Sequence, residues 1–178
     1  MARYAIRAAD AGDAHACESI VEASGEHFAA SVGPEVADAV RGGRDGWVAT
    51  DGAGGVVGFV LVERRFPGAA EIVHAAVARD RRSAGIGTRL VTAVLTVLAR
   101  DGVRAVLVKT LDETAGYPWF DRTRAFWRRL GFVQVDLIDP LPGWQPGNPA
   151  ALLVRGLTDP SAGAELPGGN MSGARRTG

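Results

Sequence analysis

Residues 71–88 of the 178-residue chain have the sequence EIVHAAVARDRRSAGIGT, and this stretch decides how the rest is organised. Its apolar first half predicts a strand, and an Arg-rich loop with a Gly-x-Gly pair follows. The apolar residues after the loop have helical spacing: Ile86, Leu90, Val91, Val94, Val97 and Leu98. The first N–H groups of a helix have no intrahelical partners and favour negative charge, and glycines let a ligand approach the backbone. The stretch therefore predicts an anion cradle that suits a pyrophosphate.

Three kinds of phosphate-binding loop contain glycines of this kind. A nucleoside-triphosphate loop ends in Gly-Lys-Ser/Thr, whereas Thr-Arg follows Gly87 here. A dinucleotide fingerprint has a third glycine, where this chain has Leu90, and it opens the first β-α unit of a parallel sheet. The third kind, Arg-x-x-Gly-x-Gly after a strand, binds the pyrophosphate of coenzyme A and fits Arg82, Gly85 and Gly87.

Outward from this stretch, alternation and helical spacing predict an α+β chain. The predicted strands cover residues 4–7, 47–50, 56–66, 71–77, 103–111, 132–138 and 150–155. The predicted helices cover residues 10–24, 34–40, 86–101 and 120–130, with Pro34 at a first helical position. One β-α-β crossover lies between hairpins at the two ends.

Composition limits the classes of protein that this chain can be. Twenty basic residues balance twenty acidic ones, which gives no reason to expect nucleic acid or a membrane as a partner. The start has no signal-peptide core, so a cytoplasmic protein is expected. The histidines share no ligand spacing with the single Cys17, so no metal site is predicted. We expect one domain over residues 1–157 and a disordered tail over 158–178, where Gly and Pro are frequent.

Two segments resemble motifs of the GNAT superfamily of N-acetyltransferases. Residues 71–88 resemble its motif A, and AFWRRLGF at residues 125–132 resembles its later Ala-x-x-Phe-Tyr-x-x-x-Gly-Phe signature. The order of elements over residues 1–157 also matches. The resemblance implies a mixed, mostly antiparallel central sheet that is splayed at the cofactor site, with helices on both faces. A bulge near Ala75-Ala76 would cause the splay.

The resemblance also implies which residues bind the acyl donor, acetyl-CoA. The backbone of the strand, at Ala75 and Val77, would hydrogen-bond the pantetheine arm. The residues that would bind the pyrophosphate are Arg82, Ala84, Gly85, Ile86, Gly87 and Thr88.

Attack on a thioester needs a neutral amine, so a base must remove a proton from an alkylammonium with a pKa near 10. Glu71 is our first candidate, because its strand resembles the one that carries the catalytic glutamate of histone acetyltransferases in the family. Alternation places Glu71, Val73, Ala75 and Val77 on one face before the bulge intervenes. His74, which titrates near neutrality, is a second candidate. A solvated glutamate and a packed histidine are the alternatives.

The family's general acid is usually a tyrosine, but this chain has Trp127 at that position. An indole N–H donates a hydrogen bond but does not supply a proton near neutral pH. Trp127 would therefore either bond the coenzyme sulfur or pack beside it. Tyr117, in the preceding loop, could replace the phenol, or the thiolate could leave without a dedicated acid. The oxyanion donor implied by the resemblance is the backbone N–H near Val77.

Acceptor recognition is expected from the first two helices, the loop after Leu111 and the final Pro-rich hairpin. The candidate substrate-binding residues are His27, Asp112, Glu113 and Trp119, with Glu26 and Trp144 in the same segments. We expect an N-acetyltransferase that moves the acetyl group of acetyl-CoA to a small-molecule amine by direct attack in a ternary complex. Alternatives are a protein or peptide N-acetyltransferase, and a CoA-binding module with lost or altered activity. The sequence leaves open whether the protein forms a homodimer.

Overall fold

A computed structural model describes residues 4–158, so the predicted tail lies, from residue 159 onward, outside the described residues. The strands are β1 (Ala5–Ala8), β2 (Gly46–Thr50), β3 (Val56–Phe66), β4 (Ala69–Val77), β5 (Ala105–Leu111), β6 (Val133–Ile138) and β7 (Ala150–Gly156). The α-helices are α1 (Ala14–Glu22), α2 (Val32–Arg41), α3 (Ile86–Arg100) and α4 (Asp121–Arg129).

The seven strands form one open sheet in the order β1-β2-β3-β4-β5-β7-β6. Every neighbouring pair is antiparallel except β4 and β5, which α3 connects as a parallel crossover. The expected α+β fold with a mixed, mostly antiparallel sheet is therefore confirmed.

Helices cover both faces of the sheet, as expected. Alternate residues of β3 enter opposite cores: Val60 and Val62 pack with α3 and α4, whereas Phe59 and Leu61 pack with α1 and α2. All four are essentially inaccessible to solvent. Because both faces are buried, β3 consists of a nearly continuous apolar run rather than a polar/apolar alternation.

Several predicted boundaries are shifted by one or two residues. Helix α2 begins at Val32, so Pro34 is its third residue rather than its first. A proline is tolerated there because the N–H groups of the first turn have no intrahelical acceptors. Strand β5 begins at Ala105, since the N–H of Val103 is still used to close α3 on the carbonyl of Leu98, at 2.9 Å.

A bulge interrupts the pairing of β3 with β4, but at Val73 rather than at the predicted Ala75-Ala76. Leu61 pairs with His74 and Val62 pairs with Ile72, which leaves Val73 as the extra residue. Small side chains permit a bulge without requiring one, and Val73 instead packs its side chain into the core under α1 and α2.

This bulge reverses the alternation of β4. Glu71 lies on the α1–α2 face, whereas Ala75 and Val77 pack in the core on the α3 side. Plain alternation of Glu71, Val73, Ala75 and Val77 therefore holds only up to the bulge and fails for Ala75 and Val77. The extra residue exchanges the two faces for every later position in the strand.

Strands β4 and β5 separate where the bulge begins. Their parallel pairing covers residues 69–72 and 105–108 and ends at Ile72 with Val108. Beyond that point β4 stays paired with β3 as far as Val77, and β5 stays paired with β7 as far as Leu111. The diverging strand edges form a V-shaped slot, which confirms the expected splay of the sheet.

None of the helices within residues 4–158 is long and apolar enough to cross a bilayer.

Candidate active site

The loop between β4 and α3 brings a glycine to the start of the longest helix. After one turn of 3₁₀-helix (Arg79–Arg81), the backbone has positive φ at Ser83 (66°) and at Gly85 (77°). Gly85 is the N-cap residue of α3, and a Cβ built on it would meet no atom within 4 Å. A left-handed conformation suits glycine, and the open space shows that its surface faces solvent.

No side chain caps the N-terminus of α3 among the described residues. The first intrahelical bond is from the N–H of Arg89 to the carbonyl of Gly85, at 3.1 Å, so the preceding N–H groups have no helical acceptor. Gly87 faces inward, where a Cβ would lie 3.4 Å from the Phe126 ring and 3.5 Å from Val77 Cγ2. The helix therefore begins with unpaired donors beside the open end of the slot.

Arg82 fastens this loop to the rest of the protein. Its Nε donates to the carbonyl oxygen of Val77 at 3.1 Å, and its Nη2 donates to Ser24 Oγ at 2.5 Å. Its Nη1 lies 3.3 Å from Glu26 Oε1. The guanidinium that we assigned to pyrophosphate binding is thus occupied by protein acceptors, and it holds the loop against β4 and the end of α1.

A cavity of about 370 Å³, here called the Glu71 cavity, lies at the vertex of the slot. Ile72 and Val73 of β4, where the strands part, and Lys109, the first residue of β5 beyond the pairing, all contribute to it. The β6–β7 loop forms its apolar wall with Leu141, Pro142 and Trp144.

Among residues 4–158, Glu71 is the only carboxylate that lines this cavity, and it is 5% exposed. Its Oε2 accepts a hydrogen bond from Arg65 Nε at 2.7 Å, and its Oε1 lies 2.8 Å from Lys109 Nζ. Both cations also line the cavity. Glu71 is therefore held between a cation of β3 and a cation of β5.

A smaller cavity of about 170 Å³, here called the His27 cavity, lies at the wide end of the slot, near Leu111. It brings together three predicted site residues: His27, Tyr117 and Trp119. The Tyr117 and Trp119 rings are 5.1 Å apart, and the His27 ring is 5.1 Å from that of Phe120. The structure thus places these candidates in a different cavity from Glu71.

The two histidine candidates have different surroundings. The pKa of His27 is lowered, because the effect of burial outweighs the opposing effect of the nearby Glu26 carboxylate. The Nδ1 atom of His27 makes no hydrogen bond with any described residue. Burial also lowers the pKa of His74, which pairs with Leu61 on the α1–α2 face and does not line either cavity. Both imidazoles are therefore expected to be neutral at pH 7.

Trp127 is part of the core on the α3 side. It is 5% exposed, and its ring lies edge-on to those of Phe126 and Phe132, with centroids 5.0 and 5.2 Å away. These contacts are those of a packed side chain, and Trp127 does not line either cavity.

The two acidic acceptor candidates after β5 also lie outside both cavities. Asp112 is buried and accepts from the N–H and hydroxyl of Thr114 at 3.0 and 2.8 Å and from Gln134 Nε2 at 3.1 Å. Burial alone would raise the pKa of Asp112, but these bonds outweigh it, and the pKa lies below its ordinary value of 3.8. Glu113 is exposed. Asp112 therefore acts here as a cap for the following turn.

Lys109 and Arg65 are functional candidates that the sequence reasoning missed. Lys109 is the only lysine of the chain and interrupts the apolar strand VLVKTL at residues 106–111. A lone cation in a central strand is an available signal, since charged residues are rarely buried there without a partner. Its partner Glu71 lies on the neighbouring strand, and that pairing depends on the parallel register, which spacing along the sequence does not give.

Within residues 4–158, no group of three or more His, Cys, Asp or Glu side chains is arranged to hold a metal ion.

Comparison with known proteins agrees with this geometry. Residues 42–134, just over half of the chain, match the family model of the acetyltransferase (GNAT) domain. No curated protein matches the sequence.

Several solved structures share the fold. An acetyltransferase assigned to the GNAT family, from Desulfovibrio desulfuricans, is 20% identical with a TM-score of 0.74, covering 86% of this chain and 99% of that one. The ribosomal-protein-S18-alanine N-acetyltransferase from Escherichia coli is 18% identical with a TM-score of 0.71, covering 92% and 99%. The YhbS N-acetyltransferase from Escherichia coli, in complex with CoA, is 25% identical with a TM-score of 0.65, covering 89% and 84%.

The buried Asp112 makes stability depend on pH. A carboxyl group whose pKa is lowered by folding stabilises the protein above its unfolded pKa, and this stabilisation is lost as pH falls from 3.8 through the folded value. We expect Asp112→Asn to lower the free energy of unfolding in urea by about 1–3 kcal/mol at pH 7, with a smaller loss at pH 3. Glu113→Gln, an exposed neighbour, is the control and should change it by less than about 0.5 kcal/mol. An equal loss for Asp112→Asn at both pH values would contradict this role.

Proposed function

This chain belongs to the GNAT acetyltransferase family, and from that premise we propose that it transfers the acetyl group of acetyl-CoA to the amine of a small molecule by direct attack in a ternary complex. The observation that carries the proposal is the uncapped N-terminus of α3 beside the slot between β4 and β5. Together they offer an anion site and two unpaired strand edges in one place.

We assign the pyrophosphate to the backbone of Ala84, Gly85, Ile86, Gly87 and Thr88. Gly85 has the conformation that such a loop needs, and the first N–H groups of α3 point out of the helix end. The similar fold of YhbS, which has been solved with CoA, supports this assignment. Arg82 contributes by holding the loop in place, because its guanidinium already has acceptors within the protein.

The pantetheine arm is assigned to the slot, along the edge of β4. Ala75 and Val77 follow the bulge, where β4 no longer pairs with β5. An amide-containing chain in the slot can bond the strand edge there as a further strand would. The N–H near Val77 is the proposed oxyanion donor.

In the proposed reaction, the acceptor nitrogen forms a bond to the acetyl carbon and the carbon–sulfur bond breaks. The amine enters as an ammonium ion, so it loses one proton before the attack and a second one afterwards. One proton is taken up by the departing thiolate to give CoA, and the other is released. Glu71 is the proposed acceptor of the first proton, since it is the carboxylate at the vertex of the slot.

The protein has no tyrosine at the family's usual position to protonate the leaving thiolate. Trp127 is packed between Phe126 and Phe132, which supports a packing role. Tyr117 lines the His27 cavity and stays a candidate for the general acid. The alternative that the thiolate leaves without a general acid also stays open. His74 stays only a secondary candidate base, because it does not line the Glu71 cavity.

A small acceptor is favoured over a protein because the β6–β7 loop walls the Glu71 cavity. A flat, open slot would favour a polypeptide, such as the ribosomal protein of the Escherichia coli relative. His27 and Trp119 are the proposed contacts for parts of the acceptor that extend into the His27 cavity.

Assembly as a homodimer is proposed through the edge strand β6. Val133, Val135 and Leu137 are 65%, 59% and 48% exposed, and in the part of the chain that the structure describes β6 has a neighbour on one side only. Sedimentation velocity should give a species of twice the 18.6 kDa chain mass, and a single species of 18.6 kDa up to high concentration would refute the dimer.

The coenzyme site is tested by Gly85→Glu. A glutamate there would be strained in the left-handed region and would bring a negative charge to the site of the diphosphate. Isothermal titration with CoA should show an affinity loss of about 100-fold or more. Gly54→Glu is a matched control, because Gly54 also has positive φ (85°) and open space, but in the β2–β3 turn. Unchanged affinity in Gly85→Glu would overturn the loop assignment.

The base assignment is tested by Glu71→Gln. The amide removes the proton acceptor, so kcat should fall by about 100-fold or more with little change in CoA affinity. Glu63→Gln is the control, since Glu63 also pairs with Arg65, at 2.9 Å, but lies outside the cavity. A kcat that stays within about twofold of wild type in Glu71→Gln, with normal CoA affinity, would count against a base at this position.

A further inference from the structure

The Glu71 cavity contains more positive than negative charge. Its charged lining residues are Arg65, Glu71 and Lys109, so two cations face one carboxylate. Arg65 also pairs with the half-buried Glu63, which in turn lies 3.9 Å from Arg44. The group linked by ion pairs within the described residues thus has three cations and two carboxylates.

Lys109 has donor capacity that its ion pair with Glu71 does not use. Its ammonium has three N–H donors, and among the described residues it pairs with Glu71 Oε1, at 2.8 Å. The side chain is 26% exposed, so the ammonium is neither buried nor free in solvent. An ammonium in such a partly enclosed cavity attracts an anion more strongly than it would at the surface.

An acceptor that carries only an amine does not fit this charge pattern. Such an acceptor enters as a cation, and the excess positive charge of the cavity would repel it. A carboxylate on the same molecule would compensate the charge of Lys109. The two charges of an α-amino acid are separated by one carbon atom, so they can lie antiparallel to the Lys109–Glu71 ion pair, ammonium to Glu71 and carboxylate to Lys109.

We propose that the acceptor is a small amine with an adjacent carboxylate, of the α-amino acid type, and that Lys109 binds this carboxylate. The inference rests on the proposed function, since it names the acceptor class of the same site. The cavity volume of about 370 Å³ suits a molecule of this size. Trp144 and Leu141 would cover an apolar side chain on the acceptor.

The first experiment uses the unmodified protein and three matched acceptors: L-phenylalanine, its carboxamide and phenethylamine. The α-amine of the amide loses its proton more readily than that of the amino acid, so intrinsic reactivity at neutral pH favours the amide. We expect kcat/KM for L-phenylalanine to exceed that for each of the other two by about tenfold or more. The same comparison with leucine separates recognition of the carboxylate from recognition of the aromatic ring.

The second experiment compares Lys109→Met with Lys109→Arg. The methionine removes the charge, so the ratio of kcat/KM for the amino acid to kcat/KM for the amide should fall by about tenfold. The arginine keeps the charge and should restore most of the preference. Thermal unfolding and CoA titration of each variant show whether the fold and the coenzyme site are intact.

The outcomes separate this inference from the proposed function. Acetylation of the amide or the amine as fast as the amino acid, with normal CoA binding, would overturn the acceptor class and leave the acetyltransferase proposal intact. An equal effect of Lys109→Met on all three acceptors would overturn the role of Lys109 in binding the carboxylate. Absence of CoA binding by the unmodified protein would overturn both proposals.

Discussion

The separation of β4 from β5 after Ile72 is the constraint on which the rest of the site depends. A parallel pair in the middle of a sheet normally continues to the end of the shorter strand, because unpaired backbone groups are costly. Here the bulge at Val73 redirects β4, and each strand keeps its other neighbour. The slot therefore costs few hydrogen bonds within the protein, and its two edges remain available for a ligand with amide groups.

The same bulge divides the roles of β4 between the two faces of the sheet. Before it, Glu71 faces the cavity that we assign to the acceptor. After it, Ala75 and Val77 face the core beside α3, whose N-terminus lies next to the open end of the slot. In the reaction that we propose, this one extra residue would let donor and acceptor approach from opposite sides.

Local sequence patterns predicted most of the fold, but they did not predict which residues of neighbouring strands contact each other. Helical spacing after Gly85 and the apolar strands gave the order of elements, because these signals lie within single segments. The bulge position was wrong, since it is set by how Val73 packs against α1 and α2. The ion pairs of Glu71 were missed for the same reason: Lys109 and Arg65 are brought to it by the register of three strands. The inward orientation of Asp112 likewise depends on Gln134, which is distant in sequence.

The central claim is that the unpaired edge of β4 and the start of α3 together bind the acyl donor. Amide hydrogen exchange, measured with and without desulfo-CoA, tests this claim most directly, because it reports on individual backbone N–H groups. The account predicts slower exchange at residues 73–77 and 84–88 on addition of the analogue, and no change in the β2–β3 turn at residues 51–55. If saturating analogue slowed exchange only in other segments, or in no segment, the result would contradict this claim.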